Sequence, residues 1–191
     1  MDLFAELAKK YRTPRAVQRY ITSLEYNKTD SVKSALMGVK TSSVHCLEGA
    51  FIAAAILERY GFPPIIMSLE SIDRLDHVIY VFKKNGLWGA VAQSSDRGLR
   101  GRAPVFKSLR SLAYSYFDPY IDETGCVRAY QIAHLDETGT DWRTSYRDLK
   151  KAEDYLIYVK HIKINYSKKR HFKLRARWNK KEVLPKKKYW W

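Results

Sequence analysis

Hydrophobic positions in the first part of the chain repeat at helical spacing. Residues 2–11 predict a short amphipathic helix. Thr13 and Pro14 predict the start of a second helix, because threonine is a favoured N-cap and proline is favoured at the first helical position. Residues 30–43 predict a further short helix that runs into a loop.

The longest apolar stretch lies at residues 44–60 and is apolar on every side. A helix with this pattern is typical of the interior of a protein, so we expect a buried central helix. Gly61 is a natural residue just beyond a helix end, and Pro63 and Pro64 prevent its continuation.

The middle of the chain changes to the pattern of strands. Residues 64–69 are a strand candidate, and residues 76–95 contain Asn85-Gly86 between two apolar runs, which is a strong hairpin signal. Residues 106–122 predict a helix that ends before Pro119. Helices followed by strands indicate an α+β fold.

The last third of the chain gives weaker signals. Residues 121–148 predict irregular structure, and residues 148–158 predict one more helix. The last forty residues alternate basic and aromatic positions, which favours a strand or two. We therefore divide the chain into a domain at 1–159 and a basic, aromatic C-terminal segment at 160–191 that packs on it.

Charge is concentrated at the C-terminal end. Residues 160–191 hold thirteen Lys or Arg residues and one acidic residue, for a net charge of +12, whereas residues 1–159 carry only +3. Basic residues with interleaved aromatics suit nucleic acid, because the charges meet phosphates and the rings stack on unpaired bases. The alternative is a solvated extended segment that completes the sheet, with Trp190 and Trp191 docked on the body.

Composition also bears on the compartment. No apolar stretch reaches the roughly 18 residues of a membrane span, and the N-terminus lacks the apolar region of a signal peptide. Cys46 and Cys126 lie far apart in sequence and predict reduced thiols rather than a disulfide framework. We expect a cytoplasmic protein that does not act at a membrane.

Cys46 stands at the start of the predicted central helix, where a thiolate is easiest to form. The free N–H groups and positive end of a helix N-terminus stabilise the anion. A nucleophilic cysteine also needs a histidine to carry the proton and a third group to orient that histidine. The alternative is that Cys46 is a small buried residue with a structural role only, and we expect such a role for Cys126.

Among the five histidines, His77 opens the first strand of the hairpin. With Asn85-Gly86 as a two-residue turn, Lys84 faces Leu87, and His77 then faces Ser94. Asp96 is its diagonal neighbour on the same face, and Gln93 reaches His77 only through a bulge. The third partner is therefore Asp96 or Ser94, with Gln93 as the bulge case.

These residues carry a resemblance to a known superfamily. The spacing of Cys46, Ala50, Ala54, Leu57, Gly61 and Pro63 resembles the nucleophile helix of the transglutaminase-like superfamily. Residues 77–95 are similar to its histidine strand and the strand that follows, so the resemblance covers about residues 40–105. Two positions depart from the pattern. Ile79 stands where the superfamily commonly has an aromatic residue, and Gln93 or Ser94 stands where it typically has the aspartate.

The resemblance implies a papain-like α+β core, with a central cysteine-bearing helix on a small antiparallel sheet. It implies a Cys–His–Asp triad in which Cys46 is the nucleophile and His77 the acid and base. Superfamily members include peptidases, amidases, acyl transferases and inactive relatives, so fold alone does not select an activity.

A glycine-bearing loop after the hairpin carries three arginines. Arg97, Arg100 and Arg102 could hold a substrate carboxylate or phosphate in bidentate fashion. The alternative is a solvated loop that makes surface ion pairs with Asp118 or Asp122.

Two hypotheses follow. In the first, the protein is a cysteine hydrolase or acyltransferase that attacks the carbonyl of a protein or small amide or ester through Cys46 and His77, without a cofactor or metal. In the second, it is an inactive binding module whose C-terminal segment holds nucleic acid or an acidic partner. The first predicts a thiol pKa below its ordinary value, and the second predicts an inert, buried thiol.

Overall fold

The structure of the protein is a computed structural model, which describes residues 2–71, 77–121 and 126–181. Within these ranges the α-helices are α1 (Leu3–Lys10), α2 (Pro14–Ser23), α3 (Ala35–Thr41), α4 (Cys46–Leu57), α5 (Leu109–Tyr114), α6 (Lys150–Tyr158) and α7 (Lys168–Asn179). The strands are β1 (Glu25–Tyr26), β2 (Ser43–Val44), β3 (Ile65–Ser71), β4 (His77–Lys84), β5 (Leu87–Val91), β6 (Arg102–Phe106), β7 (Val127–His134) and β8 (Ile162–Lys163).

The N-terminal helices lie within the predicted ranges, although α3 begins only at Ala35, later than predicted. Thr13 caps α2 by accepting a hydrogen bond from the Ala16 N–H. The buried helix α4 continues into a 3₁₀ turn at Glu58–Tyr60, and Gly61 then takes a positive φ of 77° that ends the element. The predictions of α1, α2, α3 and α4 are confirmed, because each depends on local capping and periodicity.

The main sheet has six antiparallel strands in the order β6-β5-β4-β3-β7-β8. The predicted hairpin is confirmed: Asn85 and Gly86 both have positive φ, and β4 pairs with β5 from Lys84↔Leu87 to Tyr80↔Val91. β5 ends at Val91, so the pairing stops three residues short of His77. The α+β fold class is therefore observed.

Three parts of the chain differ from expectation. Residues 121–148 are not irregular throughout, because β7 occupies 127–134 and pairs with β3 along its length. The basic segment forms the two-residue strand β8 and then the helix α7 instead of strands alone. The helix predicted at 106–122 is shorter than expected, since α5 ends at Tyr114 and turns follow.

The sheet separates two hydrophobic cores. The first core lies on the face covered by α4, which is buried over nearly its whole length together with residues of α1, α2, α3 and α6. The second core lies on the opposite face, where α5 and the turns after it cover the sheet. Successive strand residues point to opposite faces, so Val78 and Tyr80 enter the first core while Ile79 and Val81 enter the second.

The described part of the C-terminal segment packs on the rest of the chain. β8 pairs with β7, and Ile164 is buried in the second core. Leu174 of α7 packs with Phe117 and Cys126 in a small third cluster. Residues 182–191, which include Trp190 and Trp191, lie outside the described residues.

Candidate functional site

The start of α4 is organised around one buried carboxylate. Glu48, whose side chain is 0% exposed, accepts hydrogen bonds from the backbone N–H of His45 at 2.9 Å and of Lys33 at 2.7 Å, and from the Asn27 amide at 3.1 Å. The Lys33 ammonium group lies 3.9 Å from the same carboxylate. Glu48 thus joins the beginning of α4 to the segments that precede α3 and follow β1.

Cys46 is the first residue of α4 and lies partly buried against the first core. Burial raises the pKa of the Cys46 thiol above its ordinary value, although hydrogen bonding from the Val78 and Leu47 backbone N–H groups acts to lower it. The negative charge of Glu153 on α6 also raises this pKa. The backbone N–H groups of the helix start therefore act to lower the thiol pKa, but desolvation raises it by more.

His77 lies on the other side of the sheet. It pairs with Leu69 of the second core, and its ring lies 6.0 Å from the ring of Tyr116 and 6.4 Å from that of Tyr120. Its Nε2 atom lies 2.8 Å from the carbonyl oxygen of Leu99, to which an Nε2–H donates. Burial lowers the pKa of His77 to about 4, the Leu99 carbonyl acts to raise it, and the charge of Arg102 lowers it further.

The expected Cys46–His77 pair is not formed in this structure. The thiol approaches β4 at Val78, whose side chain faces α4, and the neighbouring His77 side chain consequently points to the opposite face. Sequence reasoning placed both residues in the right elements. It had no means of deciding which face of β4 the central helix covers, because both faces of this strand are buried.

The three candidates for the third partner have other roles. Asp96 caps the 3₁₀ turn at Arg97–Leu99 by accepting a hydrogen bond from the Gly98 N–H at 2.7 Å. Ser94 accepts one from the Asp96 N–H at 3.1 Å. The Gln93 amide donates to the carbonyls of Ile21 and Leu24 and holds the end of α2. The hydrogen bonds described here join His77 to Leu99 rather than to any of the three.

The arginine loop is partly internal. Arg102 is 0% exposed, stacks over the ring of Tyr116 at 3.9 Å, and donates to the carbonyls of Gly98 and Arg100. Its expected role in substrate binding is therefore wrong, because its guanidinium group holds the fold of this loop. Arg100 donates to the Ser94 carbonyl, whereas Arg97 is exposed. Asp118 pairs with Arg170, and Asp122 lies outside the described residues.

Sequence reasoning missed a polar cluster at the junction of β3, β7 and β8. Glu70 accepts hydrogen bonds from Arg128 and Gln131, and its carboxylate lies against the Nδ1 atom of His161. The Nε2 atom of His161 lies 3.0 Å from the Ile157 carbonyl oxygen. No short motif links these residues, since they come from distant parts of the chain. The cluster fixes the segment between α6 and β8 to the sheet.

The basic segment contributes the helix α7, which is anchored along one side. Ser167 caps it by accepting from the Arg170 N–H. The Arg170 guanidinium group donates to Asp118 at 2.5 Å and to the Tyr114 hydroxyl at 3.2 Å. Leu174, one turn further on, is buried in the third cluster. These contacts fix one side of α7 to the body of the protein, so the opposite side of the helix faces away from it.

The outer side of α7 is basic and carries an exposed aromatic ring. The helix has six Lys or Arg residues and no acidic residue among its twelve. Lys169 and Lys173 are exposed, and Phe172 between them is 73% exposed. A groove of about 450 Å³ is lined by His171, Phe172, Arg175, Ala176 and Asn179.

No cluster of three or more His, Cys, Asp or Glu side chains in residues 2–71, 77–121 and 126–181 is arranged to hold a metal ion. None of the helices in those ranges is long and apolar enough to cross a membrane.

The chain matches no protein-family profile, and no curated protein is significantly similar to it.

Proposed function

We propose that this protein is a non-catalytic binding module that holds a polyanion, either nucleic acid or an acidic partner, through α7. The observation that carries the proposal is a helix with six cationic side chains and no acidic one, fixed to the body by Leu174 and by the Arg170–Asp118 pair. A fixed row of cations attracts polyanions and releases their counterions on binding.

The environment of Cys46 supports this proposal over catalysis. A thiol of raised pKa is protonated at neutral pH, and a protonated thiol is a poor nucleophile. His77, the expected base, faces the second core beside Tyr116 and Tyr120. The acyl-transfer mechanism would need both groups on one face of the sheet.

Charge reversal on α7 tests the proposal. In Lys169→Glu/Lys173→Glu, both exposed cations of one helix face change sign. We expect this variant to elute from immobilised heparin at a clearly lower salt concentration than the wild type. On nucleic acid, the slope of log K against log salt should become shallower by about 1.4, since about 0.7 is lost for each phosphate contact on a single strand.

The chain offers a matched control on another helix. Arg15→Glu/Arg19→Glu changes the net charge equally, at the same spacing, on exposed positions of α2, which packs in the first core. This control should elute at a salt concentration closer to that of the wild type than Lys169→Glu/Lys173→Glu does. Equal elution of the two double variants would show that total charge, not α7, causes retention, and would contradict the proposal.

A second function deserves a test because Cys46 receives backbone N–H groups at a helix start, which act to lower its pKa. The proposal is a transglutaminase-like acyl transfer or amide hydrolysis on a papain-like core, with Cys46 as nucleophile. It requires a proton carrier other than His77 in its present position. The pH dependence of thiol alkylation separates this function from the first.

A further inference from the structure

We propose that the polyanion held by α7 is single-stranded nucleic acid, and that Phe172 stacks on one of its bases. This inference rests on the proposed function and deepens it. The feature that carries it is an exposed ring set among cations, beside a groove on the same helix.

The position of Phe172 is unusual for a phenylalanine. Leu174 and Arg170 face the body of the protein, so Phe172 lies on the outer side of α7 with 73% of its surface exposed. A partner that covers this ring gains the free energy of removing its apolar surface from water. Lys168 and Lys169 precede it by one turn, which brings phosphate-binding charge to both sides of the ring.

The groove beside Phe172 has the chemistry of a nucleotide site. Asn179, which lines the groove, brings an amide that can donate to and accept from a base edge. One helix thus presents the Phe172 ring, this amide and the exposed ammonium groups of Lys169 and Lys173.

These features favour an unpaired strand over a duplex. Bases in a duplex are stacked on each other, so a protruding phenyl ring finds no free base face, whereas a single strand offers one at each nucleotide. Stacking accepts any base, so we expect modest sequence preference.

The outer side of α7 fits a membrane less well. A helix that lies on a bilayer needs a broad apolar face. On α7, Leu174 is buried in the third cluster, and Phe172 and Ala176 are the apolar residues among those that line the groove. Trp178, which is 39% exposed, lies one turn after Leu174 and so on the side that faces the body. The outer side therefore carries one ring and one methyl group among lysines, which makes a stacking platform rather than a membrane-inserting face.

The experiment compares two nucleic acids with the full-length protein. Fluorescence anisotropy would measure binding to a labelled oligo(dT) of about 15 nucleotides and to a duplex of the same length, at matched salt. We expect the wild type to prefer the single strand. Phe172→Ala should weaken single-strand binding about tenfold while duplex binding changes little, and Phe172→Trp should retain it.

Tyr158→Ala is the matched control, because Tyr158 on α6 is an aromatic residue that is even more exposed than Phe172, at 85% against 73%; this variant should bind like the wild type. Equal losses on strand and duplex in Phe172→Ala, or no loss on either, would overturn the inference. So would a loss confined to vesicles of phosphatidylserine and phosphatidylcholine, which would assign the ring to lipid. If Phe172→Ala gives one of these contrary results while Lys169→Glu/Lys173→Glu still weakens binding, the inference fails and the proposed function stands. Unaffected binding in Lys169→Glu/Lys173→Glu contradicts the proposed function itself.

Discussion

At the scale of single residues, Cys46 and His77 show how one position in a strand changes the chemistry of a site. The thiol lies beside the backbone of Val78, and the imidazole of the next residue projects from the other face of β4. Alternation along the strand separates two side chains whose elements are in contact. Each then has the environment of a buried residue, in which the neutral form is favoured.

The reactivity of Cys46 follows from this environment. Because burial raises its pKa, we expect iodoacetamide to label Cys46 slowly at neutral pH, with an apparent pKa above the ordinary thiol value of about 8.5. His77→Ala should leave that apparent pKa unchanged, since the ring faces the second core. Mass spectrometry of the labelled Cys46 peptide at a series of pH values measures both quantities.

Cys126 is the internal control, because it is fully buried in the third cluster and should label only when the protein unfolds. Rapid labelling of Cys46 with a depressed pKa that rises in His77→Ala would contradict the expected result. It would favour the acyl-transfer function and require a rearrangement of β4.

At the scale of elements, the sequence was informative wherever a local signal decides the structure. The Asn85-Gly86 turn and the pairing of β4 with β5 were predictable from the positive φ that such a turn requires. Strand β7 was not, because both of its faces are covered and small, polar and aromatic residues alternate without a polar side. For α7 the Ser167 cap was a usable signal, but a single buried leucine gives no helical periodicity.

The sequence predicted that α4 begins near Cys46, but not that Glu48 joins this helix start to the segments that contain Asn27 and Lys33. The sequence places Glu48 three residues after His45, which is the spacing of a capping interaction. It gives no indication that Asn27 and Lys33 also donate to the same carboxylate, because these contacts depend on how the preceding segments fold back.

The central role of this carboxylate can be measured. Glu48→Ala would leave the donors from His45, Lys33 and Asn27 without their acceptor in a buried place, so we expect a loss of about 3 kcal/mol in the free energy of unfolding. Glu48→Gln should lose less, because one oxygen remains. Urea unfolding followed by circular dichroism gives the values.

Glu6→Ala is a suitable comparison, since Glu6 makes only an exposed ion pair with Lys9 on α1 and should change stability by less than about 1 kcal/mol. A Glu48→Ala loss no larger than that of Glu6→Ala would mean that water replaces the carboxylate at no cost.

At the scale of the whole molecule, charge and burial are divided between opposite ends of the chain. Residues 1–159 are nearly balanced in charge and contain both large cores, whereas the C-terminal segment carries most of the excess charge and is joined by β8, Ile164 and Leu174. Three candidate site residues of the sequence make contacts that serve the fold. Arg102, a candidate for substrate binding, and Gln93 and Asp96, candidates for the third partner, bind backbone groups that close loops and helix ends.

The stability of the whole fold should report the burial of His77. Its pKa is about 4 in the folded protein and near 6.5 when unfolded, so between these values the unfolded chain binds the proton and folding is penalised. Stability from this group is complete above about pH 6.5 and is lost as the pH falls towards 4, by about 3 kcal/mol in total. His77→Gln should flatten the dependence between pH 7 and about 4.5. Urea unfolding at each pH gives the slopes, and equal slopes in the wild type and His77→Gln would show that His77 is not buried as a neutral ring.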